Sequence, residues 1–468
     1  MRGDSILAVV IVCALVVAGL AGLTLFPNNG DDGGELGDTR LSLEVYGNAD
    51  MDEDIDEDDA QFIQDIIDGE ENATEFADAD RDGDIDGDDV DQVNAIVAGT
   101  ATFIHLLDGN GDAIEVDLPI DDLGVEYLSN VELVRALGVE DKVAAVDAAP
   151  YMLRWFYFPE LGDDLLNLGK MHAPDYEHIL ELDLDALLTF SPSTDEKKQN
   201  LPGVDVIFLG LYWPNVVTPE DSRFLQGVLK AGYLFDVVDR AENYVDWLLE
   251  TVDSISSKTD GLQDSEKPDV FMSSMVDFFS DPSTTSMRTY TLKDPLSQMC
   301  LLAGGEPIAK DLPDWAGESY STAVDPEWVL EQDPDYAFIH MVRYTYSGIK
   351  KDPAYGYATN DTESLQTTWD DIMSRQTISG LSAVENEKLY MIAGDFRNNA
   401  MGSVLGAAYL ANILHPDLFE DLDPQEIHQE YVSEWMGLDY DLDQSGTFLY
   451  PPLVQGDQVF GAPEDFQG

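Results

Sequence analysis

Short runs of continuous apolar residues alternate with stretches of helical spacing along most of this chain. VAAVD (143–147), ALLTF (186–190) and VDVIFLG (204–210) read as buried strands, as do VFMSSM (270–275), YAFIHM (336–341) and KLYMIAG (388–394). A strand covered on both faces has no polar side to alternate with, so its sequence runs apolar throughout. Between the two sets, DRAENYVDWLLETVDSISSK (239–258) places Tyr244, Trp247, Leu248, Val252 and Ile255 on one face of a helix. The pattern predicts two α/β lobes bridged by one long helix. Just before the first lobe's strands, ATFIHLL and DAIEVDLPI flank the turn DGNG and predict a β-hairpin.

The N-terminal pattern is different. Ile6 to Phe26 is an uncharged apolar run of about 21 residues, long enough to cross a hydrocarbon core as a helix. Arg2 precedes it and acids follow it, a bias that puts the bulk of the protein on the outer face of the membrane. A cleaved signal peptide, and so a secreted protein, is the alternative. The expected organisation is an anchor or signal peptide at 1–26, an acidic linker at 27–40, a small all-α module at 41–99, a first lobe at 100–238, the bridging helix at 239–258 and a second lobe at 259–468.

Charge narrows the partners. The 468 residues hold 94 acids against 23 lysines and arginines, a net charge of -71. Nucleic acid is excluded as a natural partner, and so much self-repulsion suits a salty medium, as for a halophilic archaeon. Of two cysteines, Cys13 sits in the apolar run, so Cys300 has no intramolecular partner in the rest of the chain.

The acids are not scattered evenly. NADMDEDIDEDDAQFIQDII (48–67) repeats as DADRDGDIDGDDVDQVNAIV (78–97), about 30 residues on, the scale of one supersecondary unit. In the second copy Asp78, Asp80, Asp82, Asp84 and Asp89 fall at positions one, three, five, seven and twelve of a calcium loop, with Gly83 at the turn. The first copy offers Asn48, Asp50, Asp52, Asp54 and Asp59, with Glu53 where the turn glycine belongs. The block resembles dockerin modules, which pair two such Ca2+ loops with one helix each. That resemblance implies calcium as a cofactor and a cohesin-type protein as a partner.

A second resemblance covers nearly all of residues 100–440. VELVRALGVEDKVAAVD (131–147), PDYEHILELDLDALLTF (174–190), DPLSQMCLLAGGEPIAKDLP (294–313), VDPEWVLEQDPDYAFI (324–339) and the stretch 381–419 look like the solute-binding receptors of ABC importers for ferric siderophores, haem and vitamin B12. It implies a receptor without catalysis that captures a chelated metal, an iron complex foremost, and delivers it to permease and ATPase subunits. Cobalamin and haem are alternative cargoes, and a surface-displayed dockerin–cohesin component is the alternative of another class. The resemblance also implies one permease-docking glutamate per lobe, at Glu177 and Glu327. No GxSxG elbow, P-loop or dinucleotide fingerprint is present, and the LAGGE glycines follow a helix as a C-cap.

Ligands of α/β sheets sit beyond the carboxyl ends of the strands. The segments there carry Tyr151, Trp155 and Tyr157, then Tyr212 and Trp213, then Arg343 and Tyr344, then Asp395 and Arg397. Rings and scarce arginines together suit a bulky anionic ligand. As cleft residues, Tyr212, Trp213, Arg343 and Arg397 should govern affinity while leaving the empty protein's stability alone. The competing reading puts the aromatics in the core and the arginines in ion pairs. A bare-metal receptor would need several histidines converging, and only His340 lies at a strand end.

Overall fold

The strands before the long helix are β1 (Phe103–Leu107), β2 (Ala113–Asp117), β3 (Leu123–Val125), β4 (Val143–Asp147), β5 (Leu166–Gly169), β6 (Ala186–Leu188) and β7 (Asp205–Ile207). Those after it are β8 (Asp269–Ser274), β9 (Met287–Tyr290), β10 (Glu306–Pro307), β11 (Ser321–Val324), β12 (Tyr336–His340), β13 (Leu389–Ile392) and β14 (Leu449–Tyr450). The computed structural model describes residues 42–211, 222–279, 286–317, 319–342, 355–359, 362–399, 401–456 and 458–464. The apolar run at 6–26 lies outside them, and no helix of the described residues is long and apolar enough to cross a membrane.

β1 and β2 form the expected antiparallel hairpin. The first lobe is a parallel sheet in the order β5-β4-β3-β6-β7. The second has the order β10-β8-β12-β13-β14, parallel except for β14. Val270 to Ser274 and Ala337 to His340 are buried throughout, as the continuous apolar runs require of strands covered on both faces.

Val238–Thr259 is a single 22-residue helix between the two sheets in the chain. Its buried face runs Ala241, Tyr244, Val245, Leu248, Val252 and Ile255, the i, i+3, i+4 stripe of an amphipathic helix. One end is pinned by Arg240, whose guanidinium donates to the Ala136 carbonyl at 2.6 Å and the Trp435 carbonyl at 2.9 Å.

Residues 42–99 carry helices Glu57–Asp68 and Gly87–Val97, each opened by an aspartate in a capping box, Asp56 and Asp86. This repeat does not hang from the first lobe on a tether. The Tyr46 N–H donates to the His105 carbonyl at 2.9 Å and the Leu107 N–H to Glu44 at 3.1 Å, which joins residues 44–46 to the hairpin. The Ile55 N–H donates to the Tyr233 hydroxyl at 2.7 Å, and buried Lys230 pairs with Glu44. Tyr233 and Lys230 both belong to helix Arg223–Phe235, immediately before the bridging helix.

Candidate functional site: a cationic hollow at the strand ends

Ser274 and His340 are the last residues of β8 and β12 and sit side by side in register. Arg397 follows in the short helix Asp395–Asn398, just after β13. Arg288 and Tyr290 come from β9, which pairs with β11. These side chains, with Tyr127 of the first lobe, line a hollow of about 310 Å³. It lies where the open-sheet rule places a ligand, beyond the carboxyl ends of parallel strands.

It gathers two of the chain's scarce arginines, each beside an aspartate. Arg397 sets Nε 3.1 Å from both carboxylate oxygens of Asp294, which is fully buried and also caps helix Pro295–Leu302 by accepting from the Leu296 N–H at 3.0 Å. The same guanidinium lies over the Tyr290 ring, 5.3 Å from its centroid. Arg288 is more open, with its side chain 43% exposed and its Nε 4.0 Å from Asp277. His340 is buried, its Nδ1 3.4 Å from the Tyr290 hydroxyl and its Nε2 without a hydrogen-bond partner. Burial first, then the charges of Arg397 and Arg288, push its pKa well below the usual imidazole value. A neutral imidazole and two guanidiniums thus share one wall, a set of donors for an anion.

The wall from the first lobe is a ring. Tyr127 adopts φ 72 and ψ 158, a region that only glycine enters freely. Its N–H is held at 2.9 Å by Asp147 Oδ1, and its ring lies 4.1 Å, centroid to centroid, from Phe190. Burial drives the Asp147 carboxyl up to about 6, against the Tyr127 N–H, which favours its charged form.

Other expected ligand residues are placed differently. Tyr151 is half-buried under the Arg154 guanidinium, 4.4 Å from its ring centroid. Trp155 is 53% exposed. Tyr157 is fully buried and donates its hydroxyl to Glu132 at 2.9 Å, which puts it in the core between the lobes rather than on the hollow. Asp395 is buried and does not line the hollow. Arg397 does, but its pairing with a buried carboxylate makes it structural as well, a correction to its expected neutrality for stability. Tyr212, Trp213, Arg343 and Tyr344 lie outside the described residues. Tyr127, Arg288 and Tyr290 were not singled out in the sequence; the scarcity of bases was the available signal for Arg288.

The histidines do not converge. His428 sits between the hydroxyls of Tyr357 and Tyr409, His415 reaches the Gly304 carbonyl and His178 the Asn167 carbonyl. Glu177 and Glu327 are exposed in the first turns of helices Tyr176–Leu180 and Pro326–Gln332, each behind an aspartate cap.

The sequence profile of the family described as "Periplasmic binding protein" matches residues 125–395, more than half of the chain. The chain belongs to this family. Its members are solute-binding proteins of ABC transporters, which work with a permease and an ATPase and are not enzymes. No curated protein matches the chain. Among solved structures, FepB of Veillonella parvula is similar at TM-score 0.57 and 16% identity, over 74% of this chain and 98% of that one. Molybdate-bound MolA of Haemophilus influenzae is similar at TM-score 0.54 and 15% identity, over 72% and 99%. Nickel-bound CeuE of Helicobacter pylori follows at 0.52 and 13%, over 72% and 97%. At these identities the likeness is one of fold.

The repeat at 48–97 lies outside the matched residues. In its second loop Asp78, Asp80 and Asp82 bring carboxylate oxygens within 4.8 Å of one another, and Asp78 Oδ1 is buried without a hydrogen-bond partner. Gly83, at φ 102, makes the turn that the loop needs. Asp89 is buried and accepts from the Asp80 and Asp86 N–H groups at 3.2 and 2.8 Å. These groups fit a hard cation. The first loop is closed differently: buried Asn48 donates through Nδ2 to the Leu43 and Asp52 carbonyls, both at 2.8 Å, and accepts from the Asp52 N–H at 3.0 Å. Burial lifts Asp59 there to about 7.

Proposed function

We propose that this binding protein captures an anionic chelated metal, of the ferric siderophore type, on the outer face of the membrane and hands it to its permease. The observation that carries the reading is the pairing of Arg288 and Arg397 beside an uncharged His340 in a chain of net charge -71. In a protein so acidic, two guanidiniums gathered at the strand ends favour that place for receiving an anion. The Tyr127 ring opposite supplies an apolar face for the chelator's body.

Glu177 and Glu327, exposed at equivalent places in the two lobes, are the groups we assign to docking on basic residues of the permease. The apolar run at 6–26 serves as the membrane anchor. The second calcium loop takes Ca2+ through Asp78, Asp80, Asp82, Asp84 and Asp89. Its packing on helix Arg223–Phe235 favours a part built into the receptor over a free module for a cohesin-type partner.

Native mass spectrometry and absorbance of the purified protein test the reading. They should be followed by titration with ferric tris-catecholate, ferric citrate, haem, cobalamin and molybdate. A ferric tris-catecholate or citrate complex bound better than haem, cobalamin or molybdate is the expected result. Preference for cobalamin or haem would replace the cargo, and binding of none of them would remove the reading.

A further inference from the structure

Helix Leu128–Ala136 is buried along its whole length, although it carries Glu132 and Arg135 one turn apart. Both face the second lobe. Glu132 Oε1 accepts from the Tyr157 hydroxyl at 2.9 Å and from Asn399 Nδ2, and Oε2 accepts from the Tyr431 hydroxyl at 2.7 Å. Arg135 donates through Nε to the Met436 carbonyl at 2.9 Å. Tyr431 in turn lies parallel to Trp247 of the bridging helix, with centroids 6.0 Å apart. One side chain of the first lobe is therefore hydrogen-bonded to two separate segments of the second.

The Asn399 segment matters most. Asn399 directly follows the short helix Asp395–Asn398, whose Arg397 and Asn398 line the hollow. A buried side-chain amide two residues from the cleft arginine is thus tied to the opposite lobe through its Nδ2, while its Oδ1 is buried without a hydrogen-bond partner, and buried polar bonds of this kind fix geometry more than they add stability. We propose that Glu132 is a positioning residue of the cleft: by holding Asn399 it sets the loop that presents Arg397 and Asn398 to the ligand. This rests on the reading of the hollow as the ligand site.

The charge state of Glu132 gives the device a signature. Burial drives its carboxyl up to about 8, with Asp395 adding to the rise and Tyr431, Tyr157 and Asn399 opposing it. The phenols facing it, Tyr157, Tyr431, Tyr244 and Tyr357, are all held far above their usual value by the same burial and stay neutral. An opening that wets Glu132 returns its carboxyl to the ordinary value of 4.5 and releases the proton, so opening becomes easier as pH rises from about 5 to 8 and levels off above, and the tie to Asn399 should loosen over that window.

Amide hydrogen exchange of the ligand-free, full chain tests this without reference to any cargo. In Glu132→Leu, residues 395–399 should exchange about tenfold faster while β8 and β12 keep their protection, a local opening rather than a global one. Glu132→Gln, which keeps an acceptor and stays neutral, should restore protection and abolish its decline between about pH 5 and 8. Should Glu132→Leu fail to fold, Asn399→Ala and the pH series on the unaltered protein give the same readout. Unchanged exchange at 395–399 in these variants, or a decline with pH that survives in Glu132→Gln, overturns the proposal. Affinity for ferric tris-catecholate, measured alongside, separates the two claims. Loosening without any binding would sink the ligand reading alone, and binding that is indifferent to Glu132→Leu would sink the positioning role alone.

Discussion

The two lobes present opposite chemistry at the ends of similar parallel sheets. The first offers a ring, Tyr127, on a strained backbone held by a buried acid; the second offers Arg288, Arg397 and a neutral histidine. On the function proposed above, the difference is a division of labour: the second lobe reads the ligand's charge and the first its apolar bulk. It also shows two ways of holding a site in an acidic chain. Arg397 is anchored on fully buried Asp294, whereas the backbone of Tyr127 is pinned by Asp147.

The largest effect should come from the second lobe. Arg397→Ala removes a proposed ligand contact and strands Asp294 in the interior, so it should destabilise the empty protein by about 3 to 5 kcal/mol as well as abolish binding. Arg288→Ala is the cleaner probe. Its exposed guanidinium should matter for affinity by roughly 10- to 100-fold, the worth of a charged hydrogen bond, with little change in Tm. Equal losses of stability in both variants would erase the contrast drawn between them.

A smaller effect tests the first lobe. Tyr127→Gly relieves a conformation that costs about 1 to 3 kcal/mol but removes a buried ring packed on Phe190, so stability should fall by less than the roughly 3 to 5 kcal/mol usual for a buried aromatic while affinity for a bulky chelate falls. A full loss of stability with affinity unchanged would make the ring purely structural. Asp147 supplies a pH test of the same wall. Its folded pKa of about 6 lies above the ordinary 3.8, so the folded state holds the proton more tightly. Stability should therefore decline as pH rises through roughly 4 to 6 and level off above, relative to Asp147→Asn, in urea melts across that window.

The smallest effect on binding belongs to the docking acids, one per lobe. Glu177→Gln with Glu327→Gln should leave ligand affinity within about twofold of the unaltered protein, because both lie on exposed first turns, yet stop stimulation of the importer. Normal transport by the double variant would show that docking lies elsewhere.

Much of this was legible in the sequence where burial writes a long signal. The runs 143–147, 270–275, 336–341 and 388–394 all form strands, and the helix expected at 239–258 spans Val238–Thr259. β3 was not legible, although it is central in its sheet, because three residues leave no periodicity to count. β9, which carries Arg288, is only four residues long in a two-stranded pair outside the main sheets. Arg397 stood out by type alone, but its pairing with Asp294 joins residues 103 positions apart, which no local pattern reports.

The way residues 42–99 seat on the first lobe also decides where this polypeptide can be cut. A chain begun at residue 100 would look reasonable from the repeat's boundary and would keep the whole family match, which starts at residue 125. It would bare Leu106 and Tyr233, leave Lys230 without Glu44, and strip the cover from a helix that leads straight into the bridge between the lobes. The excised repeat would fare no better, with Val45 losing its bridge to Leu106, the Ile55 N–H its Tyr233 acceptor and Glu44 its lysine. The repeat is therefore no detachable cassette: as folded, it and its host are one part, and an engineer must move them together or not at all.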